Sequence, residues 1–215
     1  MNDIEAYQSY PHLRHWYNKL WLSEKLGYTC GPASIAPKKS GWYIVRPIMN
    51  LSGMGVGANK LWIEALDYTK VPPGYFWCEW FEGSQYSVTY SWNGYWRPES
   101  CWQGIKEESD LSRFEKWVKT DFYPLLNSDY DELHLVGKIN VEFIEDKPIE
   151  VHLRTSPDPD YNELIPVWKG DEEVVDKYTK IGYNYIISYD DAEGFLDIPR
   201  VGFLVKKLMK GLVCL

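Results

Sequence analysis

Cysteine is scarce in this chain, with four in 215 residues, and Cys30, Cys78, Cys101 and Cys214 never fall at C-x-x-C spacing. His12, His15, His134 and His152 do not flank them, so spacing gives no support for a zinc site and the thiols are expected to be free in a reducing compartment. Basic residues are outnumbered: 23 Lys and Arg against 31 Asp and Glu leave a net charge of −8. A duplex nucleic acid partner is therefore not expected, since that affinity comes from neutralising phosphates. Long apolar runs are missing, with nothing near the ~20 residues of a membrane span. The opening residues MNDIEAYQSYPHLRHW lack the basic-then-apolar order of a signal peptide. The expectation is a soluble, cytoplasmic protein with no membrane partner. Internal repeats, low-complexity tracts and clean linkers are also lacking, which leaves a single domain over 1–215.

What is abundant is aromatic side chain: 11 Trp, 17 Tyr and 7 Phe make 16% of the residues, a loading that favours strands over helical bundles. Leu13, Trp16, Tyr17, Leu20, Trp21 and Leu26 recur at helical spacing before Gly27, predicting a helix over 13–26. A β-rich run at 42–45 stops at Pro47, and 50–57 carries three glycines in five positions. The runs 74–81 and 85–92 read as antiparallel strands joined by a tight connection, with a third strand over 95–102. Apolar spacing predicts a helix over 110–122, and 133–144 with 147–153 form a hairpin around Glu145 and Asp146. The tail reads as a helix over 171–180, a strand over 183–188 and a basic-apolar helix over 202–210.

Four features occur in order: a helix opened by Asn18 and Lys19, a strand ending in Arg46-Pro47 before the glycine loop, Glu79-x-x-Glu82-Gly83, and Glu150-x-His152-x-Arg154. In this order and spacing they resemble the ATP-grasp superfamily. In that superfamily a lysine, a V-K-P strand, a glycine-rich loop, an E-x-x-E-G hinge and a terminal E-x-N-x-R follow one another. The resemblance runs from Asn18 to Arg154. It implies an α+β fold of two subdomains, about 13–73 and 74–215, whose antiparallel sheets sandwich a nucleotide.

Each part has a physical reason. Several negative charges on a triphosphate call for cations and for backbone N–H donors on a loop without side chains in the way. Lys19 and Arg46 would supply the charge, and Ser52, Gly53, Gly55 and Gly57 the loop. Arginine stands where the family has a second lysine, and it can bond phosphate bidentately. The resemblance assigns adenine to Glu79, Trp80 and Phe81. It gives the ribose to Gln85, where relatives carry a glutamate. Mg²⁺ takes oxygen ligands, and Glu142 and Glu150 are the implied pair, with Asn140 a rival for Glu142. His152 stands where the family prefers asparagine as a metal ligand. Its imidazole suits Mn²⁺ or Zn²⁺ better than Mg²⁺, so the metal preference has shifted, or His152 contacts phosphate, or catalysis has been lost. Arg154 takes the place of the residue that steadies charge on the transferring phosphoryl group.

The activity implied is an ATP- and Mg²⁺-dependent ligase that activates a small-molecule or peptide carboxylate as an acyl-phosphate for attack by an amine or thiol. A small-molecule kinase, a non-catalytic nucleotide-binding module and a sugar- or peptide-binding β-domain are the alternatives. Relatives carry a further domain ahead of the nucleotide-binding part, whereas only 1–17 precede the first motif here. The acceptor is thus left to the aromatic inserts, to the tail beyond Thr155, or to another chain, a second copy or a partner. The polar, proline-containing stretch 155–162 is expected at the mouth of the site.

Overall fold

Two antiparallel sheets carry the chain, in a computed structural model that describes residues 1–51, 55–106, 111, 113–188 and 199–206. The N-terminal segment supplies α1 (Asp3–Ser9), a 3₁₀ turn (Pro11–Tyr17) and α2 (Lys19–Lys25). The smaller sheet holds β1 (Cys30–Pro32), β2 (Gly41–Pro47), β3 (Asn59–Ile63) and β4 (Tyr75–Glu79) in the order β1-β4-β2-β3. The larger holds β5 (Gln85–Trp92), β6 (Trp96–Ile105), β7 (Lys116–Lys119), β8 (Lys138–Ile144), β9 (Lys147–His152), β10 (Glu163–Trp168), β11 (Tyr183–Ile187) and β12 (Arg200–Lys206). Its order is β11-β12-β10-β7-β6-β5-β8-β9. A second 3₁₀ stretch (Ser128–Val136) precedes β8, and α3 (Glu172–Lys180) precedes β11.

The helix expected over 13–26 is broken at Asn18, whose extended backbone (φ −83°, ψ 101°) stops the 3₁₀ turn. The Asn18 side chain accepts from Trp21 N at 2.9 Å, capping a new helix at Lys19. Gly27 follows α2 at φ +73°, the conformation a terminal glycine supplies.

Four expectations are corrected. Strands 74–81 and 85–92 do not pair: β4 lies between β1 and β2, and β5 between β6 and β8. The 80–84 connection therefore crosses between sheets, and β4 belongs to the smaller one through Glu79. Gly83 fits this crossing. It adopts φ +127°, and a Cβ there would collide with Glu145, which accepts from Ser84 N at 2.6 Å. The helix over 110–122 is replaced at 116–119 by β7, which pairs with β6 and β10. Arg200–Lys206 is a strand between β10 and β11, buried on both faces over 202–205, so its unbroken apolar run imitates a helix; residues 207–210 lie outside the described residues. Finally, β8 begins at Lys138, because the 3₁₀ stretch runs to Val136 and Gly137 turns the chain at φ +77°.

The main core lies under the larger sheet, where Trp16, Leu22, Tyr90, Leu133, Ile139, Phe143 and Leu153 are buried with Ala6 of α1. Each such large side chain contributes about 1.5–3 kcal/mol relative to exposure. A separate cluster of Tyr43, Val45, Ile63, Val71 and Trp77 holds the smaller sheet. Helix α2 packs against β1 and β4 of one sheet and β9 of the other, so its first residue is delivered to the space between them.

Candidate functional site

The β8–β9 hairpin sets the site. Its register puts Glu142 opposite Glu150 and Asn140 opposite His152, with a bulge after Glu142. Val141, Phe143 and Val151 point the other way, into the core. Like charges facing each other across strands repel, and here two cations stand beside them. Lys19 Nζ lies 2.8 Å from Glu150 Oε1. His152 Nε2 lies 3.7 Å from Glu142 Oε1 and 3.8 Å from Glu150 Oε1. Gln85 Nε2 donates to Glu142 Oε2 at 3.0 Å.

Behind this pair stands a carboxylate from the far end of the chain. Asp3, 2% exposed, accepts from His152 Nδ1 at 3.0 Å on each oxygen, from Tyr17 OH at 3.2 Å, and from Arg154 Nη2. Burial alone would push the His152 imidazole down. The Asp3 charge, with hydrogen bonds to Asp3 and Glu142, outweighs burial and the nearby Arg154 and raises it to about 10. Burial opposes ionisation of Asp3 as well, but His152 and then Arg154 hold its carboxyl well below the usual range. Glu142 is lowered against burial by its hydrogen bond and charge interaction with His152 and by Lys19.

These residues border a cavity of about 1010 Å³ enclosed by both sheets. Lys19, Arg46, Gly55, Glu79, Trp80, Phe81, Gln85, Asn140, Glu142, Glu150, His152 and Arg154 all line it. Arg46 Nη2 reaches across from β2 to the carbonyl of Ile149 on β9 at 2.9 Å. The Nε atoms of Arg46 and Arg154 are buried with no hydrogen-bond partner among the described residues. Both guanidinium groups therefore keep donor capacity, which suits an anion.

The expected positions thus come together, with differences in detail. Gly57, at φ +78°, leaves no room for a Cβ, which would sit 2.7 Å from Tyr75 OH, but it does not line the cavity. Ser52 and Gly53 lie outside the described residues. Glu79 Oε1 accepts from Thr29 N at 2.8 Å, Trp80 Nε1 donates to Glu82 at 2.7 Å, and Phe81 packs edge-on to Tyr28 with centroids 4.8 Å apart. Gln85 is engaged at both ends, by Glu142 at 3.0 Å and by Lys106 Nζ at 3.4 Å.

His152, expected as a metal ligand, is bonded through Nδ1 to Asp3, and its Nε2 faces Glu142 and Glu150. Among the described residues no three His, Cys, Asp or Glu side chains form a metal-holding group. Glu142 and Glu150 remain as an all-oxygen pair, the donor chemistry Mg²⁺ takes when phosphate oxygens and water complete its shell.

The 155–162 stretch lies where expected in part, with Ser156, Pro157 and Asp158 lining the cavity. Beside it stand Trp102, Phe114, Trp117 and Arg200, and Arg200 Nη2 is 3.0 Å from Asp158 Oδ1. Sequence reasoning missed Arg200, reading a helix over 202–210 where its strand runs, and it missed Asp3. The local signal for α1 is a capping box, Asn2 accepting from Glu5 N at 2.8 Å and Glu5 from Asn2 N at 2.9 Å. That motif marks a helix start but not a partner 149 residues away. Cys78 also lines the cavity, and burial pushes its thiol up to about 12, so it is not a nucleophile at neutral pH.

No protein-family model matches the sequence, and no curated protein matches it. Among solved structures, N5-carboxyaminoimidazole synthetase from Staphylococcus aureus, complexed with ADP, aligns with 92% of this chain and 69% of its own. Identity is 11% and the TM-score 0.59. An ATP-grasp superfamily protein from Archaeoglobus fulgidus and an L-amino acid ligase from Bacillus licheniformis each cover 66% of this chain at a TM-score of 0.42, with 16% and 12% identity. The chain spans less than half the length of those two, 47% and 41%. No helix among the described residues is long and apolar enough to cross a membrane. With two antiparallel sheets around a cleft and the ordered motifs converging on it, the chain has the ATP-grasp fold.

Proposed function

We propose that the chain binds ATP between its sheets and uses it to activate a carboxylate for ligation to an amine or thiol. The observation that carries this reading is the single cavity lined by Lys19, Arg46, the 79–85 segment, Glu142, Glu150 and Arg154, residues that lie up to 135 positions apart (154 − 19). The ADP held by the staphylococcal synthetase supports nucleotide binding in a fold of this kind. Phe81, Tyr28 and Ile44 offer an apolar end for a base. Lys19, Arg46 and Arg154 offer positive charge and donors for phosphates.

In the first step a carboxylate oxygen of the substrate attacks the γ-phosphorus and the bond to the β–γ bridging oxygen breaks, releasing ADP. Arg154 stabilises charge on the moving phosphoryl group. The amine or thiol then attacks the acyl carbon, phosphate leaves with the bonding pair, and the nucleophile's proton passes to solvent. Glu142 and Glu150 would hold Mg²⁺, which when bound screens the charge on the phosphates. Trp102, Phe114, Trp117 and the 156–158 segment border the part of the cavity assigned to the acceptor.

Calorimetric titration with ATP and Mg²⁺, followed by ADP and phosphate detection across pools of carboxylates and amines, tests the reading. Nanomolar to micromolar binding with ADP and free phosphate in one pool is the expected result. ADP with a stable phosphorylated product makes the protein a kinase, binding without turnover in any pool makes it a non-catalytic module, and absence of binding removes the proposal.

A further inference from the structure

The expected phosphate-facing residues account for most of the cavity wall but not for Asp3, which also borders it while 2% exposed and makes the densest set of polar contacts among the described residues there. Its two oxygens receive His152 Nδ1, Tyr17 OH and Arg154 Nη2 together. Each of these has a second fixed partner. Tyr17 OH accepts from Leu153 N at 3.3 Å, Arg154 Nη1 donates to the Thr155 carbonyl at 3.1 Å, and His152 Nε2 faces Glu142 and Glu150. One carboxylate therefore ties the end of β9, Arg154 two residues beyond it and the 3₁₀ turn into one orientation.

A carboxylate on Arg154 could instead be a plug that substrate must displace. The packing of α1 argues against that. Ala6 is fully buried in the main core, Tyr7 meets Tyr17 edge-on at 5.8 Å, and the Tyr7 carbonyl accepts from Arg14 Nε at 2.8 Å. Withdrawing Asp3 would pull α1 out of that core and take from Arg154 its ion-pair partner and from His152 the carboxylate on Nδ1, which is costly for buried charges. The balance of charge points the same way: Asp3, Glu142 and Glu150 face Lys19, His152 and Arg154, three against three.

We propose that Asp3 is the positioning residue of this site: from the N-terminal helix it fixes Arg154 and His152 toward the cavity, so that the guanidinium meets the transferring phosphoryl group without first reorganising. The kinetic consequence rests on the ATP-dependent reading above; the structural one does not. Asp3 touches no substrate in this scheme and acts only through the two cations.

Two measurements separate these levels. The Arg154 Nε–H resonance in ¹⁵N spectra of the wild-type chain without nucleotide is expected to be resolved and slow to exchange, and in Asp3→Asn to collapse into the averaged arginine envelope. A wild-type Arg154 signal already averaged, or one unchanged by the substitution, overturns the proposal whether or not the protein uses ATP, and the wild-type arm stands even if the variant does not fold. In turnover with ATP and Mg²⁺, Asp3→Asn is expected to lower kcat about 10–100-fold with KM for ATP within about twofold, as for lost orienting partners elsewhere, and Asp3→Glu to restore part of it. Turnover that is unchanged or faster in Asp3→Asn overturns the proposal, faster turnover marking Asp3 as a competitor of the substrate. If the wild type binds no ATP while Arg154 is resolved, the ATP reading fails and the positioning stands.

Discussion

The buried charges beneath the cleft and the exposed aromatics of the smaller sheet use the same interactions to opposite ends. Below the cleft, Lys19, His152 and Asp3 are 5%, 5% and 2% exposed, every charge has a counter-charge within 4 Å, and the partners come from α1, α2, β8 and β9. On β2 and β3, Trp42 and Trp62 are 51% and 47% exposed, stacked edge-on at 5.6 Å, with Lys60 Nζ 5.5 Å above the Trp42 ring and 4.2 Å above Trp80. Water screens the second group and not the first, so removing one member should cost much in one place and little in the other.

The largest effect is expected from Glu150→Gln. The substitution removes a charge from the proposed metal pair and leaves Lys19 buried without its 2.8 Å partner. ADP release should fall by about 10²-fold or more, and chemical denaturation should show a loss of about 3 kcal/mol, the cost of breaking a buried pair. Wild-type turnover would remove Glu150 from the site.

Next comes pH. The folded His152 titrates at about 10 against an ordinary 6.5, so its contribution to stability is complete below 6.5 and is lost as pH rises toward 10. Unfolding free energy should decline over that window by at most about 1.4 kcal/mol per pH unit, the slope one proton sets. Asp3, lowered from 3.8, contributes above that value and loses its contribution as pH falls below it. Denaturant midpoints from pH 6.5 to 10 check the alkaline arm, and His152→Asn should flatten it.

Tyr17→Phe removes one neutral hydroxyl that bridges Asp3 and Leu153 N. About 1–2 kcal/mol should be lost in a denaturation curve, since a buried acceptor and a buried donor each lose a partner. The smallest effect belongs to Trp62→Ala, expected within about 1 kcal/mol in the same assay, the worth of an exposed aromatic pair. A loss as large as that of Glu150→Gln would erase the contrast between the two regions.

The same contrast separates what was legible in the sequence. The β8–β9 hairpin, α2 with its Asn18 opening and the glycine after it, α3 and β11 are written in local periodicity and turn residues. Placement of Glu142 beside Glu150 follows from that hairpin alone. Pairing is another matter. The 80–84 connection has the length of a hairpin turn yet joins two sheets, because β4 finds β1 and β2 instead of β5. At 117–118 and over 202–205 the apolar runs are short enough to satisfy either period, and neighbouring strands decided for the extended form. His152 was read from its motif position as a ligand. What makes it a cation is Asp3, a contact no local pattern encodes.

One tether between the sheets has a mechanical consequence. The Arg46 bond to the Ile149 carbonyl and the Lys19 pair with Glu150 meet β9 at adjacent residues, so β2 and α2 are fastened to the same stretch of the larger sheet. Parting the layers like a clamshell would strain both contacts at once.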